Sequence, residues 1–495
     1  MNNEDSIFDI AIIGGGPAGM MAAISAAHNF RIACKRHLKS LWSTKYPSIC
    51  IIEKNRNLGK KLLLTGNGRC NYTADLPIDE FIEKFGRRGR FFIEAFSEFS
   101  KDELVLFFKK RGVVPKYETA DNNDNVIKIF PEKGNSLTIL ECLIRELEDL
   151  SVKMVFSFRA ANISPAEEFV TGKRHVFCIS SRDSTGKNAK PLFAERVIIA
   201  TGGKTYKSTG SSGDGYTISE RLGHQIIKPH PYLMPVLTTD KNSGNLAGIS
   251  VSSVKLLLIH GKKTIAHSFG GILFTHKGIS GPAAFKIGGL AYSVSSNLSL
   301  VPGSFYDTRS KTIQTQTTVP VKPGFLKLLI DFLPDKNQTE IMDLLERFKK
   351  AYPKKEAISL IKHIAPGIPM RLVKHLLLLS GISAQSKTSN ILKTGLYALI
   401  KNIKEFSLEP IWPGDPDKAL VTEGGISIKN INPKTMESKI IKGIYFAGEI
   451  IEIAGPEGGF NLQKAFSTGW LAGKSACASY TSILETSEYF LSFGQ

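Results

Sequence analysis

The sequence predicts an α/β fold in which the two ends of the chain form one domain, with a β-rich region and a small helical region inserted between them. Three segments support this prediction. Residues 9–27 read as a strand, a glycine turn and a helix in direct succession. Residues 194–203 form an apolar strand that ends in small residues, and residues 442–449 form another strand of the same kind. Such segments are typical of a Rossmann-like parallel sheet that the chain leaves and re-enters.

The turn at residues 14–19 has the G-x-G-x-x-G spacing of a dinucleotide-binding loop. Gly14 permits the tight turn, Gly16 lets the backbone approach a pyrophosphate, and Gly19 lets the helix pack closely on the strand. The N-terminus of the following helix has unpaired N–H groups and a positive dipole end, which favour a phosphate. Because a strand precedes the turn and an alanine-rich helix follows it, we predict a dinucleotide site rather than a simple packing turn.

An acidic residue, Glu53, ends the second predicted strand at residues 48–53. An acid at this place accepts hydrogen bonds from the adenosine ribose hydroxyls and normally lies about 20 residues beyond the glycine turn. Glu53 lies 34 residues beyond Gly19. The excess predicts an insertion, an irregular basic stretch at residues 29–48. The alternative is that Glu53 is an ordinary surface acid.

Further elements extend the first domain. Helical periodicity covers residues 81–111, a hairpin covers 113–130, and a helix with Ser136 as its candidate cap runs to residue 150. Residues 152–180 are strand-rich, and another helix runs from residue 213 to 222. We therefore assign residues 1–228 and 405–495 to one domain.

The pattern changes beyond Pro229. Short strands at residues 250–260, 263–268 and 271–275 predict a barrel-like β-rich domain over 229–335, in which the polar stretch 302–323 is a loop. Prolines separate helical segments in a small domain over 336–404, whose four leucines at 376–379 are predicted to lie in the core.

The C-terminal segment points to a flavin. The strand at 442–449 ends in Gly448 and Glu449, and a glycine-rich loop and a helix over 462–475 follow. A carboxylate after this strand can hold a ribityl hydroxyl, and the helix N-terminus can face the pyrimidine edge of the flavin, where negative charge accumulates on reduction. The alternative, a simple glycine-rich connection, explains the glycines but not the acid.

The amino-acid composition limits the class of protein to which this chain can belong. With 495 residues, 42% of them hydrophobic and 22% charged, the chain predicts a globular protein of two or three domains. Its six dispersed cysteines form no C-x-x-C pair, which predicts no metal site and a reducing, cytoplasmic location. Residues 10–27 lack charge, but three glycines and Pro17 interrupt them, so we expect no membrane span.

The net charge of +19 raises the question of a nucleic-acid partner. Lysines are spread along the chain and are densest at residues 347–404, where a solvated helix face also explains them. No RNA-stacking or helix-turn-helix signature accompanies them. We therefore predict a small-molecule substrate rather than a nucleic acid, and we leave the oligomeric state open.

Two longer strings carry a family resemblance. Residues 59–71 read Gly-Lys-Lys-Leu-Leu-Leu-Thr-Gly-Asn-Gly-Arg-Cys-Asn, and residues 273–282 read Leu-Phe-Thr-His-Lys-Gly-Ile-Ser-Gly-Pro. Together with the glycine turn, residues 200–203 and residues 458–463, they resemble the BaiN-type, aminoacetone-oxidase-like NAD(P)/FAD-dependent oxidoreductases over nearly the whole chain. This resemblance implies a Rossmann-like FAD-binding domain split between both termini.

The resemblance also implies where FAD binds. The pyrophosphate would lie at the glycine turn, the adenosine at Glu53, Lys54 and Ala160, the ribityl chain at Gly448 and Glu449, and the isoalloxazine near residues 61–70 and 459–462. The complete set of cofactor-binding residues that we predict is Gly14, Gly16, Pro17, Ala18, Gly19, Glu53, Lys54, Lys61, Gly66, Asn67, Gly68, Ala160, Thr201, Gly202, Gly448, Glu449, Gly459, Phe460, Asn461 and Leu462.

The chain departs from the family pattern at Ala454, where an acidic residue is expected. Any step that depends on an acid there is put in doubt. Asn67 and Asn461 offer amides to the flavin ring, and loop or helix capping is their alternative role.

Three side chains are candidates for catalysis. Cys70 beside a flavin could exchange disulfides, although a free cysteine without a C-x-x-C partner more often packs as a small hydrophobe. Arg69 could stabilise an anionic flavin or a substrate acid, or pair within its loop. His276 could relay protons, or be satisfied by backbone at a strand end.

The function that we predict is that of an FAD-dependent oxidoreductase acting on a small organic substrate. The sequence has no second G-x-G-x-x-G for a tightly held nicotinamide, so NAD(P)H would visit transiently to reduce the flavin. Two alternatives are an FAD-dependent RNA-modifying enzyme, motivated by the charge, and a non-catalytic flavin-binding protein.

Overall fold

The computed structural model describes residues 7–37, 47–119, 126–166, 176–181, 189–239, 241–295, 326–411 and 414–491. Eighteen β-strands lie within these ranges: β1 (Ile7–Ile13), β2 (Ile49–Ile52), β3 (Thr73–Asp75), β4 (Pro115–Thr119), β5 (Ile127–Pro131), β6 (Lys153–Val155), β7 (Ala160–Pro165), β8 (Phe177–Ser181), β9 (Leu192–Ile199), β10 (Ile226–Pro231), β11 (Val236–Leu237), β12 (Ser250–His260), β13 (Lys263–Thr275), β14 (Gly278–Ser280), β15 (Leu326–Asp331), β16 (Phe406–Leu408), β17 (Thr422–Ile426) and β18 (Ile444–Phe446).

Thirteen α-helices lie within the same ranges. They are α1 (Pro17–His37), α2 (Ile78–Glu83), α3 (Ile93–Glu98), α4 (Lys101–Lys109), α5 (Ser136–Asp149), α6 (Asp214–Arg221), α7 (Lys241–Asn245), α8 (Pro282–Ser295), α9 (Gln338–Ala351), α10 (Ile358–Ile364), α11 (Met370–Leu379), α12 (Lys393–Lys404) and α13 (Phe460–Leu491).

The main sheet joins the two ends of the chain at β9. Its strand order is β6-β2-β1-β9-β8-β7, and β18 pairs with β9 beside β8. On one edge of β9, Ile13 of β1 is in register with Ile199; on the other edge, Phe446 of β18 is in register with the same residue. Both pairings are parallel. The predicted Rossmann-like α/β fold built from both termini is thus confirmed.

Helices α1 and α13 pack against each other at very short range. A Cβ atom on Gly469 would lie 2.3 Å from the carbonyl oxygen of Ala18, and one on Gly473 would lie 2.1 Å from that of Ala22. Ser25 reaches across the same contact, where its hydroxyl donates to the carbonyl oxygen of Trp470 at 2.7 Å. The absence of side chains at the two glycines therefore sets the distance between the helices.

Local elements differ from the sequence-based expectations in two places. Helix α1 continues to His37, so the first part of the stretch 29–48 is helical rather than irregular, and residues 38–46 lie outside the described residues. The cap of α5 is Asn135, whose side chain accepts from the N–H of Leu137 at 2.9 Å. Ser136 instead donates to the carbonyl oxygen of Leu63 at 2.9 Å.

The inserted strands form an antiparallel sheet that closes on itself. The order is β11-β14-β13-β12-β15-β16, and a bridge between Thr238 and Pro410 joins the two outer strands just beyond their ends. The N–H of Ile411 donates to the carbonyl oxygen of Leu237 at 2.8 Å in the same place. Residues 263–268 and 271–275, expected as separate strands, form one strand, in which Gly270 stays paired with Val254 of β12. The loop predicted at 302–323 lies outside the described residues.

Helices α9 to α12 pack beside this barrel and share its core, which is separate from the core around the main sheet. Leu376 and Leu377 are buried in it, whereas Leu378 and Leu379 are 73% and 44% exposed. The expectation that all four leucines lie in the core is therefore half right. The exact domain boundaries at 228/229, 335/336 and 404/405 stay predictions. Among the described helices, none combines the length and the hydropathy needed to cross a bilayer.

We expect Gly473→Val to destabilise the fold by about 1–3 kcal/mol or more, because its side chain must displace the backbone of α1. Thermal unfolding of the purified variant measures this effect. Gly367→Val is the matched control, since a Cβ atom at Gly367 meets nothing within 4 Å. Equal melting temperatures for the two variants would contradict the packing argument.

Candidate functional site

The glycine turn between β1 and α1 uses each glycine differently. Gly14 has φ 109°, and a Cβ atom there would lie 2.5 Å from the carbonyl oxygen of Ala200. A Cβ atom on Gly19 would lie 1.9 Å from the carbonyl oxygen of Gly14, whereas one on Gly16 meets nothing within 4 Å. Gly14 and Gly19 are therefore required by the fold itself, and Gly16 faces open space above the helix N-terminus.

Glu53 lies at the end of β2, and 8% of it is exposed. Its Oε2 accepts from the N–H of Gly15 at 2.8 Å, and its Oε1 accepts from the N–H of Asn55 at 2.8 Å. Oε1 also accepts from the side-chain amide of Asn55 at 2.7 Å. A carboxylate has about two acceptor positions on each oxygen, so Oε2 can still accept a hydroxyl, whereas both positions on Oε1 are used. Glu53 is thus a held acceptor at the cleft, not the surface acid of the alternative interpretation.

An ion-paired group lies at the end of the cleft near Ala160. Asp214 accepts from Lys54 at 2.8 Å and from Arg159 at 2.7 Å. Burial alone would raise the pKa of Asp214, but the hydrogen bonds from Arg159 and Lys54 outweigh it and lower the pKa to about 2. The carboxylate therefore stays ionised and holds both cations beside the cleft.

Lys61 and Glu449 form the central ion pair of the cleft although 388 positions separate them. The Nζ atom of Lys61 lies 2.8 Å from Oε2 of Glu449 and 3.0 Å from the hydroxyl of Thr205. The N–H of Thr422 donates to Oε1 of Glu449 at 2.8 Å. Burial would raise the pKa of Glu449, but the charge of Lys61 and its hydrogen bond lower it overall.

The start of α13 closes the other end of the cleft. Asn461 lines the cleft, but its amide holds the preceding loop: it donates to the carbonyl oxygens of Gly455 and Pro456 at 2.7 and 3.1 Å, and it accepts from the N–H of Gly455 at 2.8 Å. The capping role is therefore the one observed. Gly459 has φ 88°, and a Cβ atom there would lie 2.6 Å from the backbone of Thr73.

These parts form one continuous cleft from the glycine turn to α13. Of the predicted cofactor-binding residues, thirteen line it: Gly14, Gly16, Pro17, Ala18, Glu53, Lys54, Lys61, Ala160, Thr201, Gly202, Glu449, Asn461 and Leu462. Six others do not line the cleft, namely Gly19, Gly66, Gly68, Gly448, Gly459 and Phe460; of these, Gly19 and Gly448 lie directly behind it at Gly14 and Ala18. The side chain of Asn67 lies outside the described residues.

The residues present fit FAD. The hydroxyl of Thr201 is buried in the cleft wall and has no hydrogen-bond partner among the described residues. Gly16 leaves open space where a pyrophosphate would pass, and the N-termini of α1 and α13 both end at the cleft. The cleft thus offers N–H donors where phosphates and the flavin need them, and carboxylates where hydroxyls need acceptors.

None of the three catalytic candidates is among the residues that line this cleft, although the N–H of Cys70 donates to the carbonyl oxygen of Thr65, a lining residue, at 3.1 Å. Arg69 donates to both carboxylate oxygens of Glu118, at 2.6 and 2.8 Å. Cys70 is fully buried, and burial raises the pKa of its thiol to about 12. His276 is exposed in the turn between β13 and β14. The catalytic roles of Cys70, Arg69 and His276 stay predictions. Their positions in the structure do not support these roles.

The sequence prediction missed a partly buried charged cluster beside the cleft. Arg88 lies 2.8 Å from Glu452 and 3.6 Å from Glu423, and His230 lies 3.5 Å from Glu423. Lys464 is 1% exposed and donates to the carbonyl oxygen of Ile453 at 2.7 Å; burial lowers its pKa to about 8. No motif marks these residues, because they come together only in the tertiary structure.

Ala454, where the family pattern led us to expect an acid, is buried among Tyr232, Leu233 and Val421. The neighbouring acid Glu452 points instead to Arg88. Leu420 and Val421, which line the cleft, pack in the same cluster as Ala454, so the wall that they form is apolar. Within the described residues, no group of three or more His, Cys, Asp and Glu side chains is arranged to hold a metal ion.

The HI0933-like protein Rossmann domain model matches residues 8–475 of the chain. The chain therefore belongs to the HI0933-like family. Membership makes it a flavoprotein oxidoreductase with a Rossmann-like FAD-binding fold, and it confirms the predicted cofactor FAD. The narrower BaiN-type resemblance depends on a relative that is only 27% identical to this chain.

Two curated relatives span nearly the whole of this HI0933-like chain. A 3-dehydro-bile acid delta(4,6)-reductase of Clostridium scindens is 27% identical over 469 residues, which are 94% of this chain and 98% of the relative. A ribosomal RNA dihydrouridine synthase of Escherichia coli is 26% identical over 487 residues, which are 96% of this chain and 99% of the relative.

Among solved structures, the 3-ketosteroid delta1-dehydrogenase of Sterolibacterium denitrificans is similar with a TM-score of 0.51. The match covers 96% of this chain and all of that structure at 11% identity. At this identity the likeness shows the fold alone.

We expect Gly16→Val to fold normally and to lose FAD, because the new side chain enters the space of the pyrophosphate at a position where a Cβ atom meets no protein atom within 4 Å. The visible spectrum of the purified variant measures bound flavin, and its melting temperature without FAD measures folding. Gly19→Val is the contrasting variant, which we expect not to fold. Full flavin occupancy in Gly16→Val would contradict the cleft assignment.

We expect Lys61→Met to destabilise the FAD-free protein by about 1–3 kcal/mol, less than for a fully buried ion pair, because Glu449 loses its cation. Without Lys61 burial raises the pKa of Glu449, so the variant must fold with an unfavourable carboxylate at high pH. The loss of melting temperature relative to wild type should therefore be larger at about pH 8 than at about pH 5. The double variant Lys61→Met/Glu449→Gln should recover part of the lost melting temperature. A loss of melting temperature that is the same at both pH values would contradict the role of the Glu449 carboxylate.

Proposed function

We propose that this protein is an FAD-dependent reductase that saturates a carbon–carbon double bond conjugated to a carbonyl group, with NAD(P)H as the transient source of electrons. The observation that carries the proposal is one continuous cleft that runs from Gly16 past the Lys61–Glu449 pair to α13 and has an apolar wall. Bound FAD supplies hydride transfer there.

The apolar wall suits such a substrate. Leu420 and Val421 line the cleft and pack with Tyr232, Leu233 and Ala454, the last of which replaces the expected acid. A dry surface next to the reacting atoms strengthens electrostatic interactions and keeps out water. Glu449, Asn461 and Lys464 hold the loop and strand end around this wall by the hydrogen bonds described above.

The names of the two curated relatives describe related reactions. A delta(4,6)-reductase acting on a 3-dehydro-bile acid saturates bonds near a ring ketone, and a dihydrouridine synthase adds two hydrogens to a uracil ring. The first relative supports the BaiN-type resemblance and a small organic substrate. We propose the reaction class that both names share and, following the sequence, a small unsaturated carbonyl compound as substrate.

A second candidate substrate is the uracil ring within RNA. The net charge of +19 favours it, and the Escherichia coli relative carries an RNA substrate in its name. A non-catalytic flavin-binding role is the third possibility that the sequence left open. We also propose a cytoplasmic location, which suits Cys50, Cys70 and Cys142, three cysteines that form no disulfide within the part of the chain that the structure describes.

Anaerobic spectroscopy tests the proposal. We expect the purified protein to be yellow and to bleach when NADH or NADPH is added. The reduced protein is then mixed with a Δ4-3-ketosteroid or with a uridine-containing RNA hairpin, and the yellow colour returns as the double bond is reduced. Gly16→Val, which we expect to lack FAD, is the control for any direct oxidation of NAD(P)H by the added substrate.

The outcomes separate the three classes. Reoxidation by the ketosteroid supports a small-molecule reductase, and reoxidation by RNA with formation of dihydrouridine supports the second candidate. A flavin that neither nicotinamide bleaches at a useful rate would contradict the proposal and support a non-catalytic role.

A further inference from the structure

The net charge of the protein is concentrated in its helical region. Residues 336–404 contain thirteen Lys and Arg residues against four Asp and Glu residues, a net charge of +9 out of +19 for the whole chain. Nothing in the proposed reductase chemistry uses this excess, because the cleft is built from other parts of the chain. The excess therefore needs a separate explanation.

Some of these cations have structural roles. Lys349 donates to the carbonyl oxygen of Ile391, Lys362 donates to that of Ile368 at 2.7 Å, and Lys404 pairs with Asp331 at 2.7 Å. Such residues tie the helices together. Structural roles of this kind explain only those cations that face the protein interior.

Other cations face solvent in one patch at the end of α9. Arg347 and Lys350 are exposed on its last turns, and Lys354 and Lys355 follow directly. Lys387 joins them, because Glu356 and Lys387 form an antiparallel bridge and the N–H of Thr388 donates to the carbonyl oxygen of Lys355 at 2.8 Å. We call Arg347, Lys350, Tyr352, Lys354, Lys355 and Lys387 the basic patch.

The five cations of the basic patch make no side-chain hydrogen bond or ion pair with any residue that the structure describes. Glu356 is the one acid in the sequence from 347 to 356. Five cations of one sign close together repel one another and lower the stability of the fold slightly. A polyanion would neutralise them.

An exposed aromatic ring lies among these cations. Tyr352 is 49% exposed, and its ring packs on Phe348 at a centroid distance of 4.8 Å. Packing on Phe348 supports the ring from the protein side. Lysines around an exposed aromatic ring are the combination that binds single-stranded nucleic acid, with phosphates on the cations and a base stacked on the ring.

We propose that the basic patch binds RNA, with Arg347, Lys350, Lys354, Lys355 and Lys387 contacting phosphates and Tyr352 stacking on an unpaired base. An anionic membrane is the alternative partner, because a surface helix that binds lipid presents an apolar face beside its cations and the same helical region exposes Leu378 and Leu392, each to 73%. We favour RNA because the basic patch itself holds five cations around one aromatic ring. The proposal goes beyond the reductase activity, and neither depends on the other.

Charge reversal tests the phosphate contacts. The variant Lys350→Glu/Lys354→Glu/Lys355→Glu is compared with the control Lys109→Glu/Lys110→Glu/Lys133→Glu, which changes three exposed lysines outside the helical region by the same charge. Binding of a fluorescein-labelled RNA hairpin with a uridine-rich loop is measured by anisotropy at several salt concentrations. We expect the patch variant to bind at least about tenfold more weakly and its salt slope to fall by about 2–3, since each phosphate contact contributes roughly 0.7–0.9.

Tyr352→Ala tests the stacking contact. We expect RNA affinity to fall about fivefold or more, with the salt slope unchanged, because stacking does not release counterions. Tyr352→Phe should bind like wild type. Melting temperature and flavin reduction by NAD(P)H are measured on every variant and should match wild type, which separates a lost surface from a damaged fold.

Equal weakening by the patch variant and its control would overturn the proposal, since net charge alone would then explain binding. Patch-dependent binding to phosphatidylglycerol vesicles without binding to RNA would also overturn it and indicate an anionic membrane. If RNA binds through the patch but no double bond is reduced, the proposed reductase fails while this inference stands.

Discussion

Strand β9 is the constraint on which the whole structure depends. Its two edges take up β1 from the first residues of the chain and β18 from the last part, in parallel and with Ile199 in register with both Ile13 and Phe446. Parallel strands need long connections between them, and here the connection includes the barrel and the helical region. The cleft exists because this pairing brings the glycine turn and α13 to the same edge of the sheet.

The cleft is held together by acidic side chains whose burial would cost free energy if any of them lacked its hydrogen-bond or ion-pair partners. Glu449, Glu53 and Asp214 have acidic side chains at or near buried positions, and each side chain is held by cations or backbone N–H groups. A buried carboxylate without partners would take up a proton instead. Because the partners come from distant parts of the sequence, the charged groups also fix how those parts meet.

Chemistry and recognition lie on different parts of the molecule. The cleft belongs to the split domain, while nearly half of the net charge lies on residues 336–404. In the first part, glycines such as Gly14 and Gly473 set distances between backbones. In the second, exposed lysines and Tyr352 set the character of a surface.

The sequence by itself determined the glycine turn, the position of Glu53, the strand at β18 and the closed β-rich insertion, because these follow from local spacing and hydrophobic period. The length of α1 and the continuity of β13 were missed, since no local signal separates a basic helix end or a strand glycine from a break. Only the tertiary structure paired Lys61 with Glu449, buried Cys70, turned the amide of Asn461 toward Gly455, and kept His276 away from the cleft. The physical reason is that burial, pKa and hydrogen-bond partners depend on groups far away in the chain, whereas turns and strands depend on neighbouring residues.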